Sequence, residues 1–173
     1  PTVSVGIMSE KEISFELNNV YTFSTPGCDC TCEDKGPQTA VEQNGKVLWN
    51  GKEYTELMFT PKGIGTFWLR GVTIGVNFHW ERKEDQKFGS ALRIIVENGK
   101  LTAVNIIGVE DYLTSVISSE MSATASEELL KAHAVISRSW LLAQIEKNKE
   151  IVAANADYCA TTQTEDELIK WYD

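Results

Sequence analysis

An α+β fold, with a β-rich N-terminal portion packed against a helical segment, is what the pattern of this 173-residue chain predicts. Three observations carry that expectation. Apolar side chains first recur at every second position: Val3, Val5 and Ile7 alternate with Thr2, Ser4 and Gly6, and Ile13, Phe15 and Leu17 alternate with Ser14 and Glu16. A period of two gives a strand one buried face. Three Asn-Gly pairs, Asn44-Gly45, Asn50-Gly51 and Asn98-Gly99, then sit between strand-compatible residues, and Asn-Gly accepts the positive φ angles of a tight hairpin turn. The clearest hairpin joins Ile94-Ile95-Val96 to the run from Leu101 to Ile107. Finally, past residue 108 the apolar spacing changes to that of a helix.

The first helix is read from Val109, Tyr112, Leu113, Val116 and Ile117, an i, i+3, i+4 stripe. Ser118 and Ser119 blur its end. Thr124 and Glu127 have the spacing of a capping box and predict the start of a second helix. Leu130, Ala134, Leu141 and Ile145 form its inner stripe, with Leu129, Ile136 and Trp140 beside it. Its end is expected near Lys147-Asn148-Lys149, where positive charge suits the carbonyl terminus. Glu165 to Tyr172 reads as one more short helix. Before these, Pro26 to Pro37 is dense in turn formers and reads as a loop, and the charged run Glu81–Asp85 as a solvated turn. The expected organisation is a single domain, mainly β over 1–107 and mainly α over 108–173.

Hydrophobic content of 42% and charged content of 24% are those of an ordinary globular protein. Net charge is −9, and no basic cluster exceeds two adjacent residues, which argues against a nucleic-acid partner. No apolar run approaches the roughly 20 residues of a transmembrane helix. Cys28, Cys30, Cys32 and Cys159 do not have the C-x-x-C spacing of a zinc knuckle or thioredoxin site. Disulfides, a metal cluster and free thiols stay open for them. The chain opens at Pro1 without a Met or a signal peptide, which predicts a trimmed or mature form. It stops at Asp173 with no terminator, which predicts that the native protein continues.

The segment from Val109 to Leu142 is the most specific. It contains Glu110-Asp111-Tyr112-Leu113, Val116-Ile117, Glu120-Met121, then Glu128-Leu129-Leu130-Lys131-Ala132-His133-Ala134-Val135 and Arg138-Ser139-Trp140. These residues resemble the pattern of the SpoIID/LytB family of bacterial cell-wall proteins, E-x-Y-L-x-x-V-V-x-x-E-M-P followed by E-A-L-K-A-Q-A-V-A-A-R-T-Y. Ser122 and Ser126 stand where the family has prolines, His133 replaces Gln, and Ser139-Trp140 replaces Thr-Tyr. Some members carry a Cys/His zinc pair further on. This chain has Cys159 and Gln163 but no histidine after His133, which leaves a metal site unsupported and implies that the far wall of the groove is missing. No cofactor is implied.

The resemblance implies lytic transglycosylase-like cleavage of peptidoglycan glycan strands, preferring strands stripped of stem peptides. It also implies an extracytoplasmic location: periplasmic, secreted, or membrane-anchored through a removed N-terminal segment. Some relatives act instead as amidase enhancers, so a cell-wall amidase is the second candidate partner. An ordinary glycosidase needs two carboxylates, whereas a transglycosylase can work with one, because the substrate's own 6-hydroxyl is the nucleophile. That carboxyl has to be protonated near neutral pH, hence an apolar surround is expected around it. The candidate is Glu120, flanked by Met121 and by Tyr112, Leu113, Val116 and Ile117. Without the resemblance it would read as a helix-terminal surface carboxylate.

Tyr112 and Arg138 are expected to share a concave surface with Glu120 and contact substrate. Arg138 falls on the inner stripe of the second helix, so it needs a partner: Glu120 or the substrate, or a structural acid such as Glu110. His133 reads as a half-buried structural histidine rather than a general base. The cluster Phe78-His79-Trp80-Glu81-Arg82 offers Trp80 and His79 for saccharide binding, since rings stack on sugar faces. The plainer account is that most of the tryptophans fill the core. A carbohydrate-binding module centred on that cluster is the remaining alternative.

Overall fold

The computed structural model describes residues 2–122, 124–154, 161–164 and 167–170. Ten strands form one sheet: β1 (Thr2–Glu10), β2 (Glu12–Thr25), β3 (Cys28–Gln43), β4 (Lys46–Trp49), β5 (Lys52–Tyr54), β6 (Leu57–Pro61), β7 (Thr66–Ile74), β8 (Arg82–Gly89), β9 (Ala91–Glu97) and β10 (Lys100–Gly108). Two helices follow, α1 (Val109–Glu120) and α2 (Glu127–Ala154), and then a two-stranded hairpin, β11 (Thr161–Thr164) and β12 (Glu167–Lys170). The α+β expectation is met, with strands N-terminal and helices after them.

The sheet runs β1-β10-β9-β6-β2-β3-β4-β5, and every pairing is antiparallel. Strand β2 is a branch point. One of its edges pairs with β3. Its other edge is divided between β7, at Phe15 to Leu17, and β6, at Tyr21 to Ser24. The change of partner coincides with a register shift between Leu17 and Tyr21. Two asparagines fill that gap: Asn18 donates to the Thr66 hydroxyl at 3.0 Å, and the Thr66 N–H donates to Asn19 Oδ1 at 3.0 Å. The Thr66 backbone N–H at the mouth of the gap is thereby given an acceptor.

The three Asn-Gly pairs make the turns expected of them. Asn44, Asn50 and Asn98 have φ of 54°, 49° and 49°, and the following glycines are also positive. They close Gln43 on Lys46, Trp49 on Lys52, and Glu97 on Lys100. Other expectations need correction. The cysteine-rich stretch is not a loop. The turn is confined to Pro26-Gly27, and the strand begins at Cys28, because β2 is long enough to pair with it down to Thr25↔Cys28. The charged run is not a turn either: from Arg82 it is strand, with Ile74↔Arg82 and Val72↔Glu84 in register against β7. Among the described residues strand β8 pairs only with β7, and a row of charged side chains suits an exposed sheet edge. Within the span Glu165–Tyr172, where a helix is expected, residues 167–170 form strand β12, with Ile169 in register with Thr162, and the rest of the span lies outside the described residues. Pairing with the β-branched threonines of β11 outweighs a weak helical period.

One face of the sheet closes over a core of aromatic and branched side chains. Phe15, Phe23, Trp49 and Phe59 are buried and in ring contact, with Tyr54 at the margin. Tyr21 is fully buried, and its hydroxyl donates to the Ser90 carbonyl at 2.8 Å. Asn105, also buried, donates to the carbonyls of Gly89 and Ala91. Together they fix the tight connection from β8 to β9, where Ser90 has φ of 69°. A second, smaller cluster joins Val3 and Val5 of β1 to Val109 and Leu113 of α1 and Leu141 of α2. That cluster is what seats the helices on the sheet.

Candidate functional site

Helix α1 starts directly from the end of β10, with Gly108 at its N-cap and Glu110 and Asp111 in its first turn, where acids favour the positive end of the helix. Val109 and Leu113 face the sheet. On the outer side Thr114, Ser118 and Ser119 each donate a hydroxyl to the carbonyl four residues earlier. Their polar groups are thus spent on the helix itself. Glu120 is the last residue of α1, and the Met121 N–H closes the helix on the Ile117 carbonyl.

The capping box expected at Thr124 and Glu127 does not form. Thr124 bonds to the Ser122 hydroxyl instead, and Ser126 caps α2 by accepting from the Leu129 N–H at 3.3 Å. Ser126 is the residue immediately before Glu127 and so has the geometry of a cap. The inner stripe of α2 is as expected: Leu130, Ala134 and Ile145 are half-buried and Leu141 is fully buried. The outer side remains apolar, with Leu129, Val135, Ile136 and Leu142 all exposed.

Two contacts tie the helices together. His133 Nε2 lies 2.9 Å from Glu120 Oε2, with the imidazole 21% exposed and the carboxylate 59% exposed. The apolar surround expected at Glu120 is therefore not what the fold supplies. As the terminal residue of α1 its side chain reaches past the packed cluster into solvent, and its neighbour is an imidazole. The second contact is Arg138 to Glu110, a two-pronged pairing at 3.3 Å from Nε and 2.6 Å from Nη2. The hydrogen bond and the charge of Glu110 raise the Arg138 pKa above its ordinary value. Of the two partners the sequence leaves open for Arg138, the structure has the structural acid. Tyr112 is half-buried against the cluster that seats the helices.

His79 and Trp80 belong to another part of the molecule, the loop between β7 and β8. Phe78 and Trp80 stack with centroids 5.4 Å apart at 15°, and both are substantially exposed. The loop is braced: the Phe78 N–H donates to the Gly75 carbonyl, the Glu81 N–H to the Phe78 carbonyl, and the Asn77 N–H to the Glu81 carboxylate. Trp80 lies flat on Gly75, where a Cβ would come within 2.3 Å of the ring. Among the described residues no hydrogen bond or ion pair joins this loop to Glu120. Of the other tryptophans, Trp49 is core, Trp68 stacks under Arg70 at 5.4 Å, and Trp140 is 37% exposed. Trp171 lies outside the described residues.

An open groove of about 400 Å³ lies on the sheet, lined by Ser24, Thr25, Glu56, Met58, Arg93 and Ile106. Arg93 and Glu56 pair across it at 2.6 Å. Sequence reading did not find it, because its residues come from four strands and two of their connections and share no local spacing. The Glu120–His133 contact escaped the sequence for a related reason: it depends on how sharply residues 121–126 turn, which propensity does not fix.

Cys28 is disulfide-bonded and Cys32 is an exposed free thiol. Cys159 lies outside the described residues. Among the described residues no three His, Cys, Asp or Glu side chains converge as a metal site. Among them, too, no helix is long and apolar enough to cross a membrane.

Comparison with protein families matches residues 97–168 to the SpoIID model, described as stage II sporulation protein. The matched span runs from the turn between β9 and β10 through both helices, and so contains Glu120, His133 and Arg138. Searches of curated proteins and of solved structures returned no match.

Proposed function

We propose, from the chain's membership of the SpoIID family through residues 97–168, that it cleaves peptidoglycan glycan strands as a lytic transglycosylase, outside the cytoplasmic membrane. The observation that carries this reading is Glu120. It is a solvent-open carboxylate at the end of α1, inside the family segment, with an imidazole 2.9 Å away. The open side is where a glycan strand would lie.

One carboxyl serves both halves of the reaction. Protonated Glu120 gives its proton to the glycosidic oxygen as the bond from C1 to the leaving sugar breaks. The muramoyl 6-hydroxyl oxygen then bonds to C1, and its proton goes to the Glu120 carboxylate. The enzyme is restored, no water is consumed, and the product is an anhydro sugar one water lighter than a hydrolysis product. The general acid and the general base are the same group in its two states.

Digestion of peptide-free glycan strands followed by mass analysis tests the reading. Anhydro-ended fragments are the expected products. Glu120→Gln, which keeps the volume but cannot donate the proton, is expected to abolish them and leave the melting temperature within about 1 °C, as for a surface substitution. Retained cleavage in that variant removes Glu120 from the mechanism.

A second reading is a non-catalytic wall protein that holds glycan or enhances an amidase. The 59% exposure of Glu120 favours it, since enclosed sites strengthen acid–base chemistry. Strand binding without any anhydro product, together with faster turnover of an added amidase, selects it.

A further inference from the structure

We infer that His133 is a positioning residue for Glu120: its imidazole anchors one carboxylate oxygen and leaves the other to react. This rests on the transglycosylase reading and deepens it.

The two partners differ in freedom. His133 sits on the inner side of α2, with only 21% of its side chain exposed, whereas Glu120 is 59% exposed at a helix terminus. The ring is therefore the fixed element and the carboxylate the adjustable one. His133 Nε2 itself is buried and makes no properly aligned hydrogen bond to any described group, yet Glu120 Oε2 stands 2.9 Å from it. The contact has the distance of a hydrogen bond but not its direction. A buried ring nitrogen without an aligned partner is costly. A small rotation of the exposed Glu120 side chain brings Oε2 into line and removes that cost. Polar contacts in substrate-free sites are commonly misaligned and tighten on binding.

The other ring nitrogen is compatible with the same assignment. Nδ1 lies 3.5 Å from the Ser137 hydroxyl, which can donate to it. With Nδ1 accepting, the ring proton is on Nε2 and points toward Glu120. Oε2 then accepts from His133, and Oε1 is the oxygen that passes the proton to and from the sugar. Fixing a reacting carboxylate through one of its oxygens limits its orientation at the moment of transfer, and misplacement of a reacting group by about 1 Å costs on the order of 100-fold in rate.

The test has an activity arm and a spectroscopic arm. On peptide-free strands, His133→Ala is expected to lower kcat by about 10- to 100-fold with KM little changed, as for a misoriented group. His133→Gln, whose amide N–H can replace the Nε2 donor, is expected to recover most of that loss. In the second arm, the ring 15N resonances of His133 are recorded in the wild type, in Glu120→Gln and in Glu128→Gln. The expected result is a shift with Glu120→Gln alone. Equal turnover of His133→Ala and wild type, or His133 resonances indifferent to Glu120→Gln, overturns the assignment. A wild type that releases no anhydro product removes the transglycosylase reading instead, and the resonances alone then decide whether the pair exists.

Discussion

At the scale of single residues, two positions have consequences that can be measured. Gly75 has φ of +66° and carries the Trp80 ring on its bare Cα. Gly75→Ala puts a methyl 2.3 Å from that ring in a backbone conformation L-residues avoid. The expected cost is about 1–3 kcal/mol, with a change in tryptophan emission as Trp80 is pushed off; thermal melts and fluorescence check both. Tyr21 is the second case. Burial pushes its phenol up from 10.0 to about 12. Between those values the unfolded chain loses the proton while the folded one keeps it. The folded state binds more protons, so stability is fully present below pH 10 and falls as pH rises toward 12. The decline attributable to this residue is roughly 2–3 kcal/mol. Urea unfolding at successive alkaline pH values should show it, and Tyr21→Phe should flatten it. Residues of this kind were only partly legible in the sequence. Phe15 and Leu17 announced their burial by alternation, but nothing in the local order around Trp80 says that a glycine five residues back is its seat.

At the scale of elements, the helices rest on few contacts. Leu141 is the one fully buried side chain of α2 among the described residues, and it meets Val3, Val5, Val109 and Leu113. Leu141→Ala is expected to cost about 2–5 kcal/mol and to detach α2 from the sheet before the sheet itself unfolds. Amide exchange should register early loss of protection in α2 with β9 and β10 still protected. The Arg138–Glu110 pair is a lesser strap. With both side chains substantially exposed, Arg138→Ala should leave the urea midpoint almost unchanged, and the small difference should vanish at high salt. The passage from strands to helices was legible, since a period of two gives way to a period of 3.6 near residue 108, but β8 and β12, read as a turn and a helix, were not. Nor were the boundaries. Cys28–Cys32 is strand because β2 extends far enough to pair with it, and Ser126 rather than Thr124 caps α2 because the turn after α1 runs two residues further than the capping box assumed. Both outcomes depend on a partner segment, which local sequence does not contain.

At the scale of the whole molecule, Glu120 and His133 were legible separately, as a helix-end acid and a half-buried histidine, but their meeting is a property of the assembled fold. The helices that bring them together sit on β1, and β1 is held by β10, Thr2 against Gly108 through Glu10 against Leu101. The first and last strands of the sheet are therefore neighbours, with nearly all of the β-rich portion looped between them. Closing so long a loop is slow, and its entropy grows by about 0.6 kcal/mol with each doubling of length. The hairpins at Asn44, Asn50 and Asn98 can form locally, at once. The surface on which α1 and α2 dock cannot exist until β1 and β10 have paired. In a refolding experiment, core tyrosine and tryptophan signals should recover before helix docking does, and any glycan-cleaving activity should return only with the slowest phase. A nascent chain would thus bring Glu120 and His133 together as the final act of folding, with the architecture complete before the pair is in place.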